Sequence, residues 1–268
     1  MSETRRTVSC EACQGEQKAF DLHMAFQPIF DVETGQPFAF EALVRGASGQ
    51  GAADVLGAVK DEDLYAFDQQ CRVAAIRQSV DRGILETDAL LSINFLPNAV
   101  YSPKACIQLT LKTARETGLP LDRLMFEFTE NERIESDHLQ DIIRTYADMG
   151  FKTAIDDFGA GMAGLELLAD LKTSHLKIDM ALIRGMDRDE RRRTIVTSIV
   201  HLARDLGVDV IAEGIETKAE LEMLKALGVR LVQGYLLAMP ILSEPLSGAE
   251  MPTSGRVSSQ RAPARRER

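Results

Sequence analysis

Polar side chains, nearly all of them acidic or amide, recur in or just after the apolar, strand-length runs of this sequence. The residues at these points are Glu41, Asn94, Glu127, Glu130, Asp156, Asp157, Lys177, Asp179, Glu213, Glu216 and Gln233. Carboxylate and amide oxygens suit Mg²⁺ or Mn²⁺, and a set without His or Cys disfavours zinc. Adjacent acids such as Asp156 and Asp157 can serve two ions, and two metals about 4 Å apart are a recurring device for phosphodiester hydrolysis. The pattern therefore predicts a hydrolytic two-metal site, with Lys177 placed to position water or to offset charge.

Each of these residues also has a structural interpretation. A single acid at a strand end is more often a salt-bridge partner or a helix cap, and Asp156 and Asp157 precede a Gly-rich loop where they could cap the next helix. The agreement of several strand ends favours the metal site. The histidines share no ligand spacing and are interpreted as structural or surface residues. The run Arg191–Arg193 is interpreted as a solvated helix face, with a dimer or partner contact as the alternative.

The runs that must position these side chains alternate with stretches of helical periodicity. Runs of strand length cover residues 22–30, 36–44, 90–96, 123–129, 151–157, 175–179, 208–213 and 229–234. Helical stretches include 63–82, 137–149, 189–206 and 217–227, and several of them end at a glycine. This alternation predicts a (β/α)₈ barrel, whose C-terminal rim would collect the polar side chains. An open doubly wound sheet is the alternative.

The first two runs depart from this alternation. Only residues 31–35 separate them, which is too short for a parallel crossover and suits a hairpin. We therefore expect a modified, TIM-like (β/α)₈ barrel with an antiparallel first strand.

Composition and charge narrow the class of function. The 268-residue chain is 45% apolar and 27% charged, with a formal net charge of −10. Because residues 247–268 carry five Arg against two Glu, the rest of the chain is more acidic still, and we expect no binding to duplex nucleic acid. An anionic substrate would need bridging cations. No apolar run is long enough to span a bilayer, so the expectation is a cytoplasmic protein without membrane insertion.

The two ends of the chain are interpreted separately from the barrel. We divide the sequence into an N-terminal tail at 1–19, a catalytic domain at 20–246 and a disordered basic tail at 247–268. Cys10 and Cys13 form a Cys-x-x-Cys pair, which is either half of a zinc or redox site or an inert pair. The basic tail is a candidate docking segment for an unidentified protein partner.

The polar residues also fall into a set of ordered motifs. In chain order these are Gln27-Pro28-Ile29, Glu41-Ala42-Leu43-Val44-Arg45, Asn94, Glu127-Phe128-Thr129-Glu130, Asp156-Asp157-Phe158-Gly159-Ala160-Gly161, Lys177-Ile178-Asp179, Ala212-Glu213-Gly214-Ile215-Glu216-Thr217 and Gln233-Gly234-Tyr235. Over about residues 20–242 they resemble the blocks of the EAL-domain cyclic di-GMP phosphodiesterases. The tripeptide Glu41-Ala42-Leu43 alone would be a weak signal, but the ordered set is specific.

The resemblance implies a fold, a reaction and a set of roles. The fold is a barrel with one antiparallel strand, and the reaction is hydrolysis of cyclic di-GMP to linear 5′-pGpG with Mg²⁺ or Mn²⁺, inhibited by Ca²⁺, in a homodimer. The implied metal ligands are Glu41, Asn94, Glu127, Asp156, Asp157 and Glu213. Lys177 would orient water, and Glu41 and Glu213 would complete the catalytic set. The implied substrate contacts are Gln27, Leu43, Arg45 and Gln233, and the implied loop-supporting residues are Glu130 and Glu216.

Three alternative functions follow from the same residues. Some family members only bind the nucleotide, so a catalytically silent receptor or scaffold acting through a protein partner is the main rival. Hydrolysis mainly of pGpG would share the site, and another (β/α)₈ metal enzyme is a further alternative. The motif acids and Lys177 are all present, which favours an enzyme. The departures from the family pattern, at Gly46, Ala160, Met162 and Ala163, remove no implied metal ligand.

Overall fold

The apolar runs form eight strands that close into a barrel. The chain is represented by a computed structural model that describes residues 18–129, 136–161 and 164–252. The strands are β1 (Leu22–Asp31), β2 (Pro37–Gly46), β3 (Leu90–Asn94), β4 (Leu124–Thr129), β5 (Lys152–Phe158), β6 (His175–Ile178), β7 (Asp209–Ala212) and β8 (Leu231–Val232). Each strand pairs with its neighbours in sequence order, and β8 pairs with β1 to close the sheet. The prediction of a barrel is confirmed, and the open sheet is excluded.

The first strand runs against all the others. β1 is antiparallel to both β2 and β8, whereas β2 through β8 are mutually parallel. The short connection begins with a tight turn in which the Gly35 amide donates to the Asp31 carbonyl. Gly35 has a φ of 71°, a left-handed conformation that glycine adopts without a steric penalty. The predicted hairpin is confirmed.

Helices and short turns connect the parallel strands. The helices within the described residues are α1 (Ala52–Gly57), α2 (Leu64–Asp81), α3 (Pro103–Cys106), α4 (Gln108–Thr117), α5 (Ser136–Asp148), α6 (Gly164–Asp170), α7 (Met180–Ile183), α8 (Glu190–Leu206) and α9 (Lys218–Ala226). The four long helices predicted from periodicity correspond to α2, α5, α8 and α9. The Asp189 carboxylate caps α8 by accepting from the amides of Arg191 and Arg192. The predicted solvated arginine run is therefore the first turn of this helix.

The core has an inner and an outer part. A large cluster fills the space between the strands and the surrounding helices, and it includes Phe40, Phe126, Ile143 and Val196. A second cluster consists of strand residues alone: Ile29, Ala39, Leu90, Met125, Ala154, Ile211 and Leu231. Because side chains alternate between the two faces of a strand, the second cluster lies inside the barrel. We refer to these seven residues as the apolar layer.

The chain continues along the barrel after β8. Ile241 forms an isolated bridge with Phe26, and a turn of 3₁₀ helix covers Leu246–Gly248. The Met251 amide then donates to the Gly35 carbonyl at 3.1 Å, so contacts with the barrel extend beyond residue 247. Residues 1–17 and 253–268 of the two predicted tails lie outside the described residues, and so do Glu130, Met162 and Ala163. Cys10 and Cys13 belong to the first of these ranges. Among the residues that are described, no helix is long and apolar enough to cross a membrane.

Candidate functional site

The period of two along each strand produces a polar layer next to the apolar layer. A residue two positions from an inward-facing residue also faces inward. The related pairs are Ile29 and Gln27, Ala39 and Glu41, Leu90 and Ser92, Met125 and Glu127, Ala154 and Asp156, Ile211 and Glu213, and Leu231 and Gln233. In parallel strands the second residue lies nearer the C-terminal rim, and in the antiparallel β1 the order is reversed. We refer to the second members of these pairs, with Lys177, as the polar layer.

The Lys177 ammonium occupies the centre of the polar layer. Its Nζ lies 2.6 Å from Glu213, 2.8 Å from Glu127, 3.0 Å from Asp156 and 3.5 Å from Glu41. The side chain is only 1% exposed, and none of the four acids exceeds 13%. One buried cation therefore faces four carboxylates, which leaves an excess of negative charge in a region of low dielectric.

Neutral side chains complete the hydrogen bonding of the acids. Asn94 Nδ2 donates to one Glu41 oxygen at 3.1 Å, and Gln233 Nε2 donates to the other at 2.8 Å. The hydroxyl of the fully buried Ser92 donates to the Glu127 oxygen that Lys177 does not contact. Each of these two carboxylates is thus held at both oxygens, which fixes its orientation.

The two neighbouring aspartates leave β5 in different directions. The β5–β6 register shifts between Ile155 and Phe158, and Asp157 has a φ of 55°, a left-handed conformation that is uncommon outside glycine. The Asp157 amide donates to an Asp156 carboxylate oxygen at 2.9 Å. α6 begins at Gly164, well beyond the pair. The alternative in which these acids cap the next helix is not supported.

Burial and mutual repulsion perturb the ionisation of the acids. Burial, with the charges of Glu41 and Asp156, raises the pKa of Glu127 to about 8. Burial also raises the pKa of Asp157 to about 6, with Asp156 contributing, and holds the pKa of Glu213 well above its usual value. Burial opposes the charge of Lys177, but the surrounding carboxylates prevail and raise its pKa well above the ordinary value.

Glu41 differs from the other acids of the layer. Burial disfavours its charged form, but the charge of Lys177 and the hydrogen bonds from Gln233 and Asn94 outweigh burial. The pKa of Glu41 is consequently lowered. The layer thus combines one carboxylate whose ionised form is favoured with acids whose protonated form is favoured by burial.

The donor set fits hard divalent cations. Two groups of carboxylates have ligand oxygens within 4.8 Å of one another: Glu41, Glu127 and Asp156, and Asp156, Asp157 and Glu213. Asp156 belongs to both groups, so its carboxylate is placed to be shared between two ions. All the ligand atoms are oxygens, the preference of Mg²⁺ and Mn²⁺, and bound cations would neutralise the excess negative charge.

Two cavities open beside the polar layer. One, of about 220 Å³, is lined by site residues that include Gln27, Glu41, Glu213, Gln233 and Tyr235. The other, of about 380 Å³, is more apolar and reaches from Leu43 and Leu56 to Asn94 and Asp157. Most of the residues implied as substrate contacts therefore line spaces next to the acids. Arg45 is partly buried, and its guanidinium donates to the Val44 carbonyl.

Glu216 lies outside the contacts of Lys177. Its carboxylate accepts a hydrogen bond from Arg184, and both residues line the smaller cavity. Its amide donates to Glu220, which also caps α9. Glu216 is therefore placed at the edge of the site, and its predicted supporting role stays a prediction.

Sequence motifs missed several polar residues in and behind the site. Ser92 contacts Glu127, Arg184 pairs with Glu216, and the buried pair Asp68 and Arg72 packs behind β3 and β4. The period-two rule could have identified Ser92, because it stands two residues before Asn94 on the same face.

Comparison with known proteins identifies the family. The family model described as the EAL domain matches residues 11–240, which include the barrel strands and the polar layer. The chain belongs to the EAL domain family. EAL domain proteins are generally cyclic di-GMP phosphodiesterases, and some members are inactive. The resemblance inferred from the ordered motifs is confirmed.

Two solved structures that share the fold contain the cyclic dinucleotide. A standalone versatile EAL protein from Vibrio cholerae O395, in its c-di-GMP bound form, is 45% identical with a TM-score of 0.81 and covers 85% of this chain and 95% of its own. Klebsiella pneumoniae BlrP1, in a manganese/cy-diGMP complex, is 31% identical with a TM-score of 0.77 and covers 85% of this chain and 58% of its own.

Curated EAL domain relatives are longer proteins. The blue light- and temperature-regulated antirepressor BluF of Escherichia coli K12 is 30% identical over 217 residues, which is 81% of this chain and 53% of BluF. The chain spans about half or less of the length of the first curated relatives it matches.

Proposed function

We propose that the protein is a metal-dependent phosphodiesterase that hydrolyses cyclic di-GMP to linear 5′-pGpG. The observation that carries this proposal is the contact of Lys177 with four buried carboxylates. An inactive member of a hydrolase family needs only to bind the ligand. Such a protein has no functional need for a buried acidic cluster that lowers its stability. A complete cluster is what a two-metal hydrolase requires.

The proposed metal ligands are the acids of the polar layer with Asp157 and the amide of Asn94. The ligand set is Glu41, Asn94, Glu127, Asp156, Asp157 and Glu213, and Mg²⁺ or Mn²⁺ is the proposed cofactor. When bound, such ions lower the pKa of a water molecule and stabilise the oxygen that leaves the phosphorus.

The protein side chains supply the remaining chemistry. Lys177 stays protonated, so its ammonium can hydrogen-bond to the attacking water or balance charge that develops on the phosphoryl oxygens. Glu213 lies 2.6 Å from Lys177 and lines the smaller cavity, which places its ionised carboxylate to accept a proton from water in the metal-loaded site. Glu41 is fixed by Asn94 and Gln233, so it provides an ionised carboxylate of defined orientation.

The two cavities are proposed to receive the dinucleotide. Gln27 and Gln233 line the smaller cavity and Leu43 lines the larger, while Arg45 follows Val44 at the end of β2. The acids would repel the phosphates of the ligand in the absence of cations. We therefore expect productive substrate binding to depend on divalent metal.

Product analysis tests the proposal. The purified chain is incubated with cyclic di-GMP and Mg²⁺, Mn²⁺ or Ca²⁺, and the nucleotides are separated by chromatography. We expect pGpG to accumulate with Mg²⁺ or Mn²⁺, to be absent after chelation, and to be suppressed by Ca²⁺. Glu41→Gln should abolish the product, whereas Glu62→Gln, at an exposed carboxylate outside the site, should leave it unchanged.

Two other results would contradict the proposal. Binding of cyclic di-GMP without turnover under any metal would exclude the enzyme and favour the alternative of a receptor acting through a protein partner. That alternative draws on one observation, the description of BluF as an antirepressor. Faster hydrolysis of pGpG than of cyclic di-GMP would instead assign the linear dinucleotide as substrate.

Assembly and location stay predictions. A homodimer is implied by the resemblance, and light scattering of the purified chain would test it. Cytoplasmic localisation, predicted from the sequence, is tested by fractionation of the cells that produce the protein.

A further inference from the structure

A buried ion pair lies on α2, behind the strands that carry the site. Arg72 Nη2 is 2.6 Å from Asp68 Oδ2, and the two side chains are 0% and 1% exposed. Neither residue belongs to the motifs of the polar layer. Replacing such a pair with apolar side chains of similar volume is often neutral or stabilising, so stability alone does not explain it.

The ion pair contacts the chain on either side of the proposed ligands. Asp68 Oδ1 accepts from the Leu96 amide at 3.0 Å, two residues after Asn94. The Arg72 guanidinium lies 5.4 Å from the Phe95 ring and 5.5 Å from the Phe126 ring, and these residues adjoin Asn94 and Glu127. Arg72 is itself held by a 2.9 Å hydrogen bond to the Tyr146 hydroxyl.

The contact with the Leu96 amide occurs just beyond the end of β3, whereas Phe126 and Glu127 lie within β4. β3 ends at Asn94, which pairs with Glu127 on β4. Beyond it, the Phe95 amide donates to the Glu127 carbonyl, and the Leu96 amide then turns to Asp68 instead of to a strand. The direction in which Asn94 leaves the barrel thus depends on α2.

We propose that Asp68 and Arg72 are positioning residues that set the orientation of Asn94 and Glu127 toward the divalent cations. This inference rests on the proposed metal-dependent function. Residues that orient metal ligands typically change metal affinity by about 10- to 100-fold when they are replaced. Loss of the pair should therefore weaken metal binding by such a factor in a protein that is still folded.

Two double variants of the full chain test this role. Asp68→Leu with Arg72→Met, which we call the Leu–Met variant, removes both charges and the oxygen that accepts from the Leu96 amide. Asp68→Asn with Arg72→Met, which we call the Asn–Met variant, removes both charges but keeps an oxygen that can accept from the Leu96 amide. We measure the Mn²⁺ dissociation constant by calorimetry, the melting temperature, and kcat and KM for cyclic di-GMP.

We expect the Leu–Met variant to bind Mn²⁺ at least about tenfold more weakly than the parent and to lose kcat. The Asn–Met variant should recover part of the affinity. Ser79→Ala, at another buried polar residue of α2 whose hydroxyl donates to the Ile76 carbonyl, should leave Mn²⁺ affinity unchanged. A folded Leu–Met variant with parental Mn²⁺ affinity would overturn the proposal.

The experiment separates this proposal from the proposed function. If the parent protein binds Mn²⁺ but does not cleave cyclic di-GMP, the proposed enzymatic function is wrong. The Mn²⁺ affinities of the variants would still test the positioning role of Asp68 and Arg72. A parent that does not bind Mn²⁺ would overturn both proposals. If the Leu–Met variant does not fold, Arg72→Lys keeps the charge but loses the planar contact with the two rings, and unchanged Mn²⁺ affinity in that variant would contradict the proposal.

Discussion

The interior of the barrel contains two layers of side chains that come from the same strands and differ in chemistry. The apolar layer, from Ile29 to Leu231, is closed and consists of hydrocarbon side chains with the Met125 thioether. The polar layer, only two residues away along seven of the eight strands, gathers four carboxylates around the ammonium of Lys177. Both layers are buried, so exposure to water does not distinguish them.

The difference separates the source of stability from the source of function. Hydrocarbon burial in the apolar layer stabilises the closed sheet at every residue. The polar layer places more negative than positive charge in the same interior, which opposes folding unless protons or cations are taken up. The apolar layer thus provides the rigid base on which an unfavourable charge arrangement is maintained. Neutralising an acid of the polar layer and truncating a side chain of the apolar layer should therefore have opposite effects on turnover and on stability.

Replacement of Lys177 by Met should have the largest effect. It removes the ammonium that contacts four carboxylates, and we expect turnover to fall roughly 10³-fold. The metal-free protein should also lose about 3–5 kcal/mol, because charged acids are left unpaired. Product assays and urea unfolding measure the two losses. Turnover within tenfold of the parent would exclude the proposed role of Lys177.

Glu127→Gln should separate function from stability in the polar layer. The change removes a proposed ligand whose pKa is raised to about 8 and keeps its shape. We expect turnover to fall about 100-fold while the metal-free melting temperature stays the same or rises. A large loss of melting temperature with normal turnover would show that this layer is structural.

Met125→Ala makes the converse change in the apolar layer, two residues before Glu127. The side chain is fully buried, so its truncation should lower the free energy of unfolding by about 2–5 kcal/mol. Turnover by the folded fraction should stay within about threefold of the parent, because no polar side chain is removed. Normal stability, or a loss of turnover as large as that of Glu127→Gln, would contradict the separation of the layers.

The smallest expected effect is a pH dependence of metal-induced stabilisation. The pKa of Glu127 rises from 4.5 to about 8 on folding, and that of Asp157 from 3.8 to about 6. The folded protein therefore holds more protons than the unfolded chain between about pH 4 and 8, and metal-free stability should fall as pH rises through this window.

Metal ions compete with these protons for the carboxylates. At a fixed Mn²⁺ concentration, the rise in melting temperature should be several degrees larger at pH 8 than at pH 6. Differential scanning fluorimetry measures the shift, and Glu127→Gln should flatten it. An equal shift at both pH values in the parent would show that Mn²⁺ binds elsewhere.

The sequence predicted the strands through their apolar runs and the site acids through their positions in or just after those runs. In the structure, each acid of the polar layer also stands two residues from a member of the apolar layer, which places it on the inner face. The residues 31–35 were too few for a crossover, which predicted the antiparallel β1. Local spacing was sufficient for these features because they depend on neighbours along the chain.

Features that depend on contacts across the fold were not predicted. The hydroxyl of Ser92 meets Glu127 only because β3 and β4 pair in one register, and Asp68 meets the Leu96 amide only because α2 packs behind β3. The left-handed backbone of Asp157 likewise follows from the register shift between β5 and β6. No short-range pattern in the sequence encodes these contacts.

The position of Mn²⁺ in crystals of the protein would show whether the polar layer is a metal site. Diffraction data collected near the manganese absorption edge locate the ion independently of any activity. We expect anomalous peaks among the carboxylates of Glu41, Glu127, Asp156 and Asp157. Crystals that bind Mn²⁺ only at surface sites, with Lys177 still contacting its four carboxylates, would contradict this expectation.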